Sequence, residues 1–393
     1  MSSTLPTGPL AAFPELTDRF WSAVAVVGPV AAAAADEVDR AARFPEETLA
    51  VFREQRLLSA LIPESLGGMG IGVPELAGAV RTIASHCAAS ALMLAMHSID
   101  VANLVRLGAG DELRALQREI AADQLLCANA NSEVGSGADL SASVATVTPD
   151  DDGCLRLRKD ALAISFGERA DLIFTCARRA PDAEPTDQVQ VICRRPRLEP
   201  LSEWDSLGLR GTCSRGYRIV AELQAPHIYP IPFAEVANSG GMQTTLLLLS
   251  SVWVGIADAA AAKAHAYVRA VARRRIGQVP PSALRLSELS VRLAQVRALH
   301  DSTRRGFAAA AAAGTLESPD LIAELRNLKV AASEGAVAVA SAALEICGIA
   351  GYRRDTPFSL DRHLRDAYGG VVMVSNDRVL HAGAETLLVR KRL

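Results

Sequence analysis

Aromatic residues are scarce, 4% of the 393 residues. Little of the interior can therefore be filled by large rings. Alanine is abundant instead, which suits tightly packed helices because alanine has the best helix propensity. The seven cysteines (87, 127, 154, 176, 193, 213, 347) include no CxxC pair. An odd, scattered set reads as reduced thiols in a cytoplasmic protein, with Cys213 as either a reactive thiol or a small interior residue. Net charge is −3, so nothing global points to nucleic acid or an anionic membrane. The opening "MSSTLPTGPLAAFPELTDRF" has no basic region ahead of an apolar core, and no leader peptide is expected. The long run "TTLLLLSSVWVGIADAAAAKAHAYV" contains Ser250, Ser251 and Asp258 and lacks an aromatic or basic belt. It predicts a buried helix and no membrane span. His363 and His381 have no partners at metal-ligand spacing, so no metal is expected.

What is present falls into three zones. Residues 1–122 read as a helical domain, with Leu49, Phe52, Leu57 and Leu58 near helical spacing. "SALMLAMHSIDVANLVRLG" is apolar on almost every face and predicts a central helix. Residues 123–232 alternate polar and apolar residues in strand-sized runs, with a hairpin turn at Asp152-Gly153, and predict a small antiparallel β-domain. Residues 233–393 return to long helices and predict a four-helix bundle; Ser318 and Pro319 open its third helix. The last helix begins poorly, at the Gly369-Gly370 pair. The fold class is thus α+β, mainly α, with a cleft where the three units meet, the usual place for a ligand.

Five stretches carry a family resemblance: "LIPESLGGMGIGVPE", "NSEVGSGADL", "LGLRGTCSRGY", "RRRIGQ" and "EICGIAGY…RHLRDA". In this order, on these elements, the chain resembles the acyl-CoA dehydrogenase flavoprotein superfamily from about residue 45 to 380. The resemblance implies FAD, a homotetramer or homodimer, and oxidation of an acyl thioester between its α and β carbons. It also implies an electron-transfer flavoprotein as redox partner.

By resemblance, Asn131 supplies a backbone amide and Ser132 a hydroxyl to the flavin, and Ser165 reaches its N5. Ala138 replaces a serine that contacts the pyrophosphate, and Ala163 replaces the tryptophan that stacks on the ring. Arg273 matches an arginine that binds the pyrophosphate of a neighbouring subunit's flavin; its charged fork donates two bonds to a phosphate. Gly348 allows close backbone approach. Ile349 and Glu345 replace a glycine and a glutamine there, and Asn376 and Arg378 fall at further cofactor-binding positions.

The usual base is absent. Removing a thioester α-proton needs a carboxylate in a dry pocket. Val374 occupies the family's glutamate position, and a shifted alignment offers only Gly369 or Gly370. The alternative position on the first bundle helix is Thr245, followed by Leu246 where an arginine anchors CoA. Asp377 lies on another helical face than Val374, and Asp258 reads as structural. His97 is a candidate acid/base group or a hydrogen-bonded core histidine. Three functions fit: a FAD oxidoreductase on an acyl thioester of CoA or a carrier protein; a monooxygenase using reduced flavin (FMN) and O2 with a flavin reductase; and a silent subunit.

Overall fold

The computed structural model describes residues 14–108, 110–135, 140–150, 152–274 and 278–389. The first layer holds α1 (Pro14–Ala41), α2 (Glu46–Glu54), α3 (Val73–Ala84), α4 (Ala88–Leu107) and α5 (Asp111–Asp123). Helix α3 starts with Pro74 in its first turn, where a missing N–H is harmless. Helix α4 is buried on all sides over most of its length, as its unbroken apolar pattern requires.

Eight strands follow: β1 (Cys127–Asn129), β2 (Val147–Pro149), β3 (Leu155–Ala161), β4 (Leu172–Arg178), β5 (Gln188–Arg194), β6 (Arg197–Pro200), β7 (Tyr217–Leu223) and β8 (Ile228–Pro232). They form two four-stranded sheets, ordered β1-β4-β5-β8 and β2-β3-β7-β6. All pairings are antiparallel except β1 with β4, which run parallel. The expected hairpin turn is present: Gly153 has φ +79°, and Asp150 Oδ1 accepts the N–H groups of Asp152 (3.1 Å) and Cys154 (2.8 Å).

The helices return with α6 (Phe233–Val236), α7 (Met242–Arg273), α8 (Ser282–Ala313), α9 (Pro319–Cys347), α10 (Ile349–Tyr352), α11 (Asp361–Val372) and α12 (Asn376–Val389). Helix α7 is the pillar, packing against α3, α4, α8, α9 and α11. Its core residues Leu246 to Ala257 face neighbours on every side. Among the described residues, four helices are long and apolar enough to cross a membrane, but the best windows of α4 and of the helical run 233–273 are 89% and 83% buried inside the protein. The C-terminal segment differs from the expected single helix. Helix α11 runs through Gly369 and Gly370 and breaks after Val372, because Val374 has a left-handed backbone with φ +51°. A β-branched residue rarely adopts that conformation.

Asp258 is structural: its carboxylate takes Arg81 Nε and Arg297 Nε, each at 2.7 Å, and so joins α3, α7 and α8. All seven cysteines are free thiols. Among the described residues no cluster of three or more His, Cys, Asp or Glu could hold a metal.

Candidate functional site

Helix α4 carries one polar stripe, His97, Asp100 and Asn103, spaced i, i+3, i+6 and all buried, and its first two members meet β1. Residues three apart share a helix face. His97 Nε2 lies 2.6 Å from the Leu58 carbonyl oxygen, so it carries the proton. Nδ1 accepts the Cys127 backbone N–H at 3.0 Å. Both ring nitrogens are engaged, and burial pushes the pKa down to about 4. His97 is therefore a neutral structural link between α4, the Leu58 turn and β1, the hydrogen-bonded core histidine of the two readings and not the acid/base group. Asp100 is fully buried and accepts Asn129 Nδ2 at 2.9 Å through Oδ1. Its Oδ2 has no partner, and burial raises its pKa to about 8.

Beyond Asn129 the chain turns through Asn131 and Ser132. Asn129 Oδ1 accepts the Asn131 N–H at 3.2 Å. The loop after β3 meets this one: the Leu162 N–H donates to the Ser132 carbonyl (3.2 Å), and the Val134 N–H donates to the Asp160 carbonyl (2.9 Å). A third loop locks against the second. Phe166 N–H donates to Thr212 O at 2.7 Å and Ile164 N–H to Arg215 O at 2.9 Å. Ser165 Oγ lies 2.8 Å from Ser214 Oγ, itself 2.7 Å from Thr212 Oγ1. Phe166, Leu209 and Cys213 all carry left-handed backbones, a strain that persists only where the surroundings fix it. A cleft of about 320 Å³ opens here, with Phe166, Trp204, Cys213 and Tyr217 in its wall. Burial raises the Cys213 thiol pKa, which opposes a reactive thiolate.

The structure thus brings Asn131, Ser132 and Ser165 onto adjoining loops. These residues fit the pyrimidine edge and N5 of an isoalloxazine. Two hydroxyls are at hand. The Asn131 backbone N–H expected to serve the flavin is instead taken by Asn129 Oδ1, while the buried Asn131 Oδ1 has no partner within the protein. Such an atom is costly unless something pairs with it. Ala163, half-buried, leaves the stacking position small, and Ala138 lies outside the described residues.

A charged pair props the first loop from beneath. Lys159 sits on the core face of β3 and is buried. Its Nζ donates to the Cys176 carbonyl (2.7 Å) and the Asn131 carbonyl (3.5 Å), and lies 4.0 Å from Glu133 Oε2. Glu133 also accepts Ser143 Oγ (2.7 Å) and the N–H groups of Val144 (3.0 Å) and Ala145 (2.7 Å).

Neither base position offers a carboxylate. Val374 is half-buried and packs against the core. Thr245 Oγ1 bonds back to the Gly241 carbonyl at 2.9 Å, and Leu246 is buried beside it. The space at the shifted positions is closed: a Cβ on Gly369 would lie 2.6 Å from Leu209 Cδ1, and one on Gly370 2.9 Å from the Trp253 ring. Gly370→Ala should therefore destabilise the protein by about 1–3 kcal/mol through overpacking, although alanine is the better helix former. Urea denaturation checks this, and a stabilised variant would refute the packing argument. Asp377 is exposed.

Of the residues assigned to the distal flavin half, Asn376 lies elsewhere than expected. Asn376 is interior: its Oδ1 accepts Lys329 Nζ (2.5 Å) and Ser333 Oγ (3.2 Å), and its Nδ2 reaches Glu334 Oε1 at 3.4 Å. That amide is occupied by the protein and is not free for a cofactor. Arg273 and Arg378 are exposed. Glu345 is exposed and pairs at 3.9 Å with Arg285. Ile349 is 73% exposed. Gly348 has φ +55°, and a Cβ there would meet nothing within 4 Å, so backbone conformation explains its glycine.

Sequence reasoning missed Asp100, Asn129, Lys159 and Glu133. One signal was available for Asp100: it is the only ionisable acid in "SALMLAMHSIDVANLVRLG", and a carboxyl in an otherwise apolar helix needs an explanation.

Two family models match, acyl-CoA dehydrogenase N-terminal domain over residues 22–122 and C-terminal domain over 235–370. The human mitochondrial short-chain specific acyl-CoA dehydrogenase is 26% identical over 85% of this chain and 80% of its own length. The dibenzothiophene monooxygenase of Rhodococcus erythropolis is 26% identical over 61% and 60%. Among solved structures, FMN-bound TdsC from Paenibacillus sp. A11-2 superposes with a TM-score of 0.81 at 20% identity, covering 93% of this chain and 97% of that one. It establishes the shared fold.

Proposed function

The chain belongs to the acyl-CoA dehydrogenase family, and we propose that within this family of flavin-dependent oxidoreductases it works as a monooxygenase. It would take reduced flavin of FMN type and O2, and would not desaturate a thioester. One observation carries this reading: the places where a base would stand hold Val374, a self-bonded Thr245 and two glycines closed off by Leu209 and Trp253. Oxygen insertion needs no α-proton base. Relatives named as monooxygenases exist at the same identity as the dehydrogenases.

Reduced flavin, when bound, supplies two electrons to O2, so that one oxygen atom enters the substrate and the other leaves as water. The protein's part is placement and shelter. Ser132, Ser165 and the Asn131 amide oxygen orient the ring by hydrogen bonds. Buried Leu246, Leu209 and Trp253 keep water out, which strengthens every polar contact inside. Thioester desaturation is the second reading, favoured by exposed Arg273 and the open backbone at Gly348.

Anaerobic mixing of flavin-loaded protein with saturated acyl-CoAs separates the two. The flavin absorbance is expected to stay unchanged. Addition of NADH, flavin reductase and air should then give oxygen uptake above a protein-free control. Bleaching by an acyl-CoA alone would overturn the monooxygenase reading. A protein that binds no flavin would overturn both and leave the silent subunit.

A further inference from the structure

We propose that Asp100 is the positioning residue of the flavin loop, acting through Asn129 on Asn131. This rests on the reading above only in calling that loop the flavin's; the relay itself is intramolecular. Asp100 Oδ1 accepts Asn129 Nδ2 at 2.9 Å, and Asn129 Oδ1 accepts the Asn131 N–H at 3.2 Å. A carboxyl on α4 thus fixes which way the Asn129 amide points, and that amide fixes the backbone N–H at the tip of β1. The next residues are Ser132, whose carbonyl holds the Leu162 N–H, and Glu133, anchored by three donors. Asp100 Oδ2, at one end of this chain of contacts, and Asn131 Oδ1, at the other, have no partner within the protein, and Asp100 is fully buried.

Among the described residues, the buried carboxyls are Asp39, Asp100, Glu133 and Asp366. Asp39 takes Arg365 through both oxygens. Asp366 takes the Leu209 N–H. Glu133 is filled as described. No cation pairs with Asp100 in the same way. The groups facing it are His97, neutral on α4; Cys127 on β1, its thiol pKa raised by burial; and Tyr229 on β8, buried, its hydroxyl unpartnered and its pKa also raised. Asp171 adds negative charge beyond Cys127. Arg106, further along α4, donates to Asn103 and the Val236 carbonyl. In these surroundings the neutral acid is the stable form, consistent with a pKa near 8. Ionisation would put an uncompensated charge in the core, and opening the end of β1 to water would relieve it.

The test is hydrogen exchange by mass spectrometry on the full chain, reading peptides across residues 129–134, beside FMN titrations. Wild type, Asp100→Asn and Asp100→Ala are compared from pH 6 to 9. Asparagine is the neutral isostere and should keep the loop protected throughout. The wild type should match it at pH 6 and lose about tenfold in protection and FMN affinity by pH 9, as a group with a pKa near 8 ionises. Asp100→Ala should expose the loop at every pH. If that variant fails to fold, Asn129→Ala cuts the relay one step later and should do the same. Identical pH dependence of 129–134 in wild type and Asp100→Asn would overturn the proposal, as would an unchanged loop in Asn129→Ala. If no variant binds FMN but the exchange pattern appears, the relay stands and the proposed function falls.

Discussion

Lys159→Met should lower stability by about 3–5 kcal/mol, the usual result of removing one partner from a buried charge pair. Lys159 is 1% exposed and Glu133 5% exposed. Methionine keeps the aliphatic stem, so packing changes little. The Glu133 carboxylate would remain buried with its hydrogen bonds to Ser143, Val144 and Ala145 but without the ammonium. The Cys176 and Asn131 carbonyls would also lose their donor. Because Asn131 lies in the loop proposed to hold the flavin, affinity for flavin should fall together with stability. Urea denaturation measures the first effect and fluorescence titration the second. Adding Glu133→Gln should recover part of the loss, since the two changes share one interaction. A single-variant loss under about 1 kcal/mol would show that the pair is not what holds the loop.

The second large effect is a loss of stability in mild acid. His97, His300 and His363 are buried, and burial lowers the pKa of each; His97 falls to about 4 and His363 well below its ordinary value. Below about pH 6.5 the unfolded chain binds these protons and the folded one does not, so stability falls as pH falls. Asp100 and Asp366 oppose this. Their folded pKa values, about 8 and about 6, lie above the unfolded value of 3.8. They hold protons that the unfolded chain has released, so they add stability as pH falls through those values. At pH 5 three imidazoles set against two carboxyls leave an excess of at most about one proton, a slope of up to roughly 1.4 kcal/mol per pH unit. Denaturation midpoints between pH 7 and 5 should therefore decline. Asp100→Asn removes one opposing group and should about double the slope while raising stability at pH 8. A flat profile would mean that the histidines charge without unfolding the protein.

The helical layers were legible because their signals are local. An all-apolar α4, Pro74 in the first turn of α3 and long alanine-rich runs in α7 to α9 each specify a helix without reference to anything distant. The two-sheet arrangement was not legible. The parallel pairing of Cys127–Asn129 with Leu172–Phe174 joins segments 45 residues apart, and alternation within a strand says nothing about its partner. Site residues divided in the same way. Asn131, Ser132 and Ser165 sit in short motifs that a sequence can show, and the structure places them on adjoining loops, although the Asn131 N–H is taken by Asn129. Asn376 was misread because its partner, Lys329, lies 47 positions earlier. For His97 the sequence left two readings open, because the partners that decide between them come from a turn and a strand. Burial and pairing are properties of the assembled chain, and no spacing rule encodes them.

The break at Val374 makes the last helix a separable part. Nothing covalent but Met373 to Ser375 ties α12 to the rest, yet the first residue beyond that joint, Asn376, is what solvates the ammonium of Lys329, a side chain with no exposure to water and a pKa lowered to about 8. Proteolytic nicking at the joint would thus do more than trim a tail. Once α12 drifts away, a stranded cation is left inside the bundle, and α9 must let solvent in to reach it.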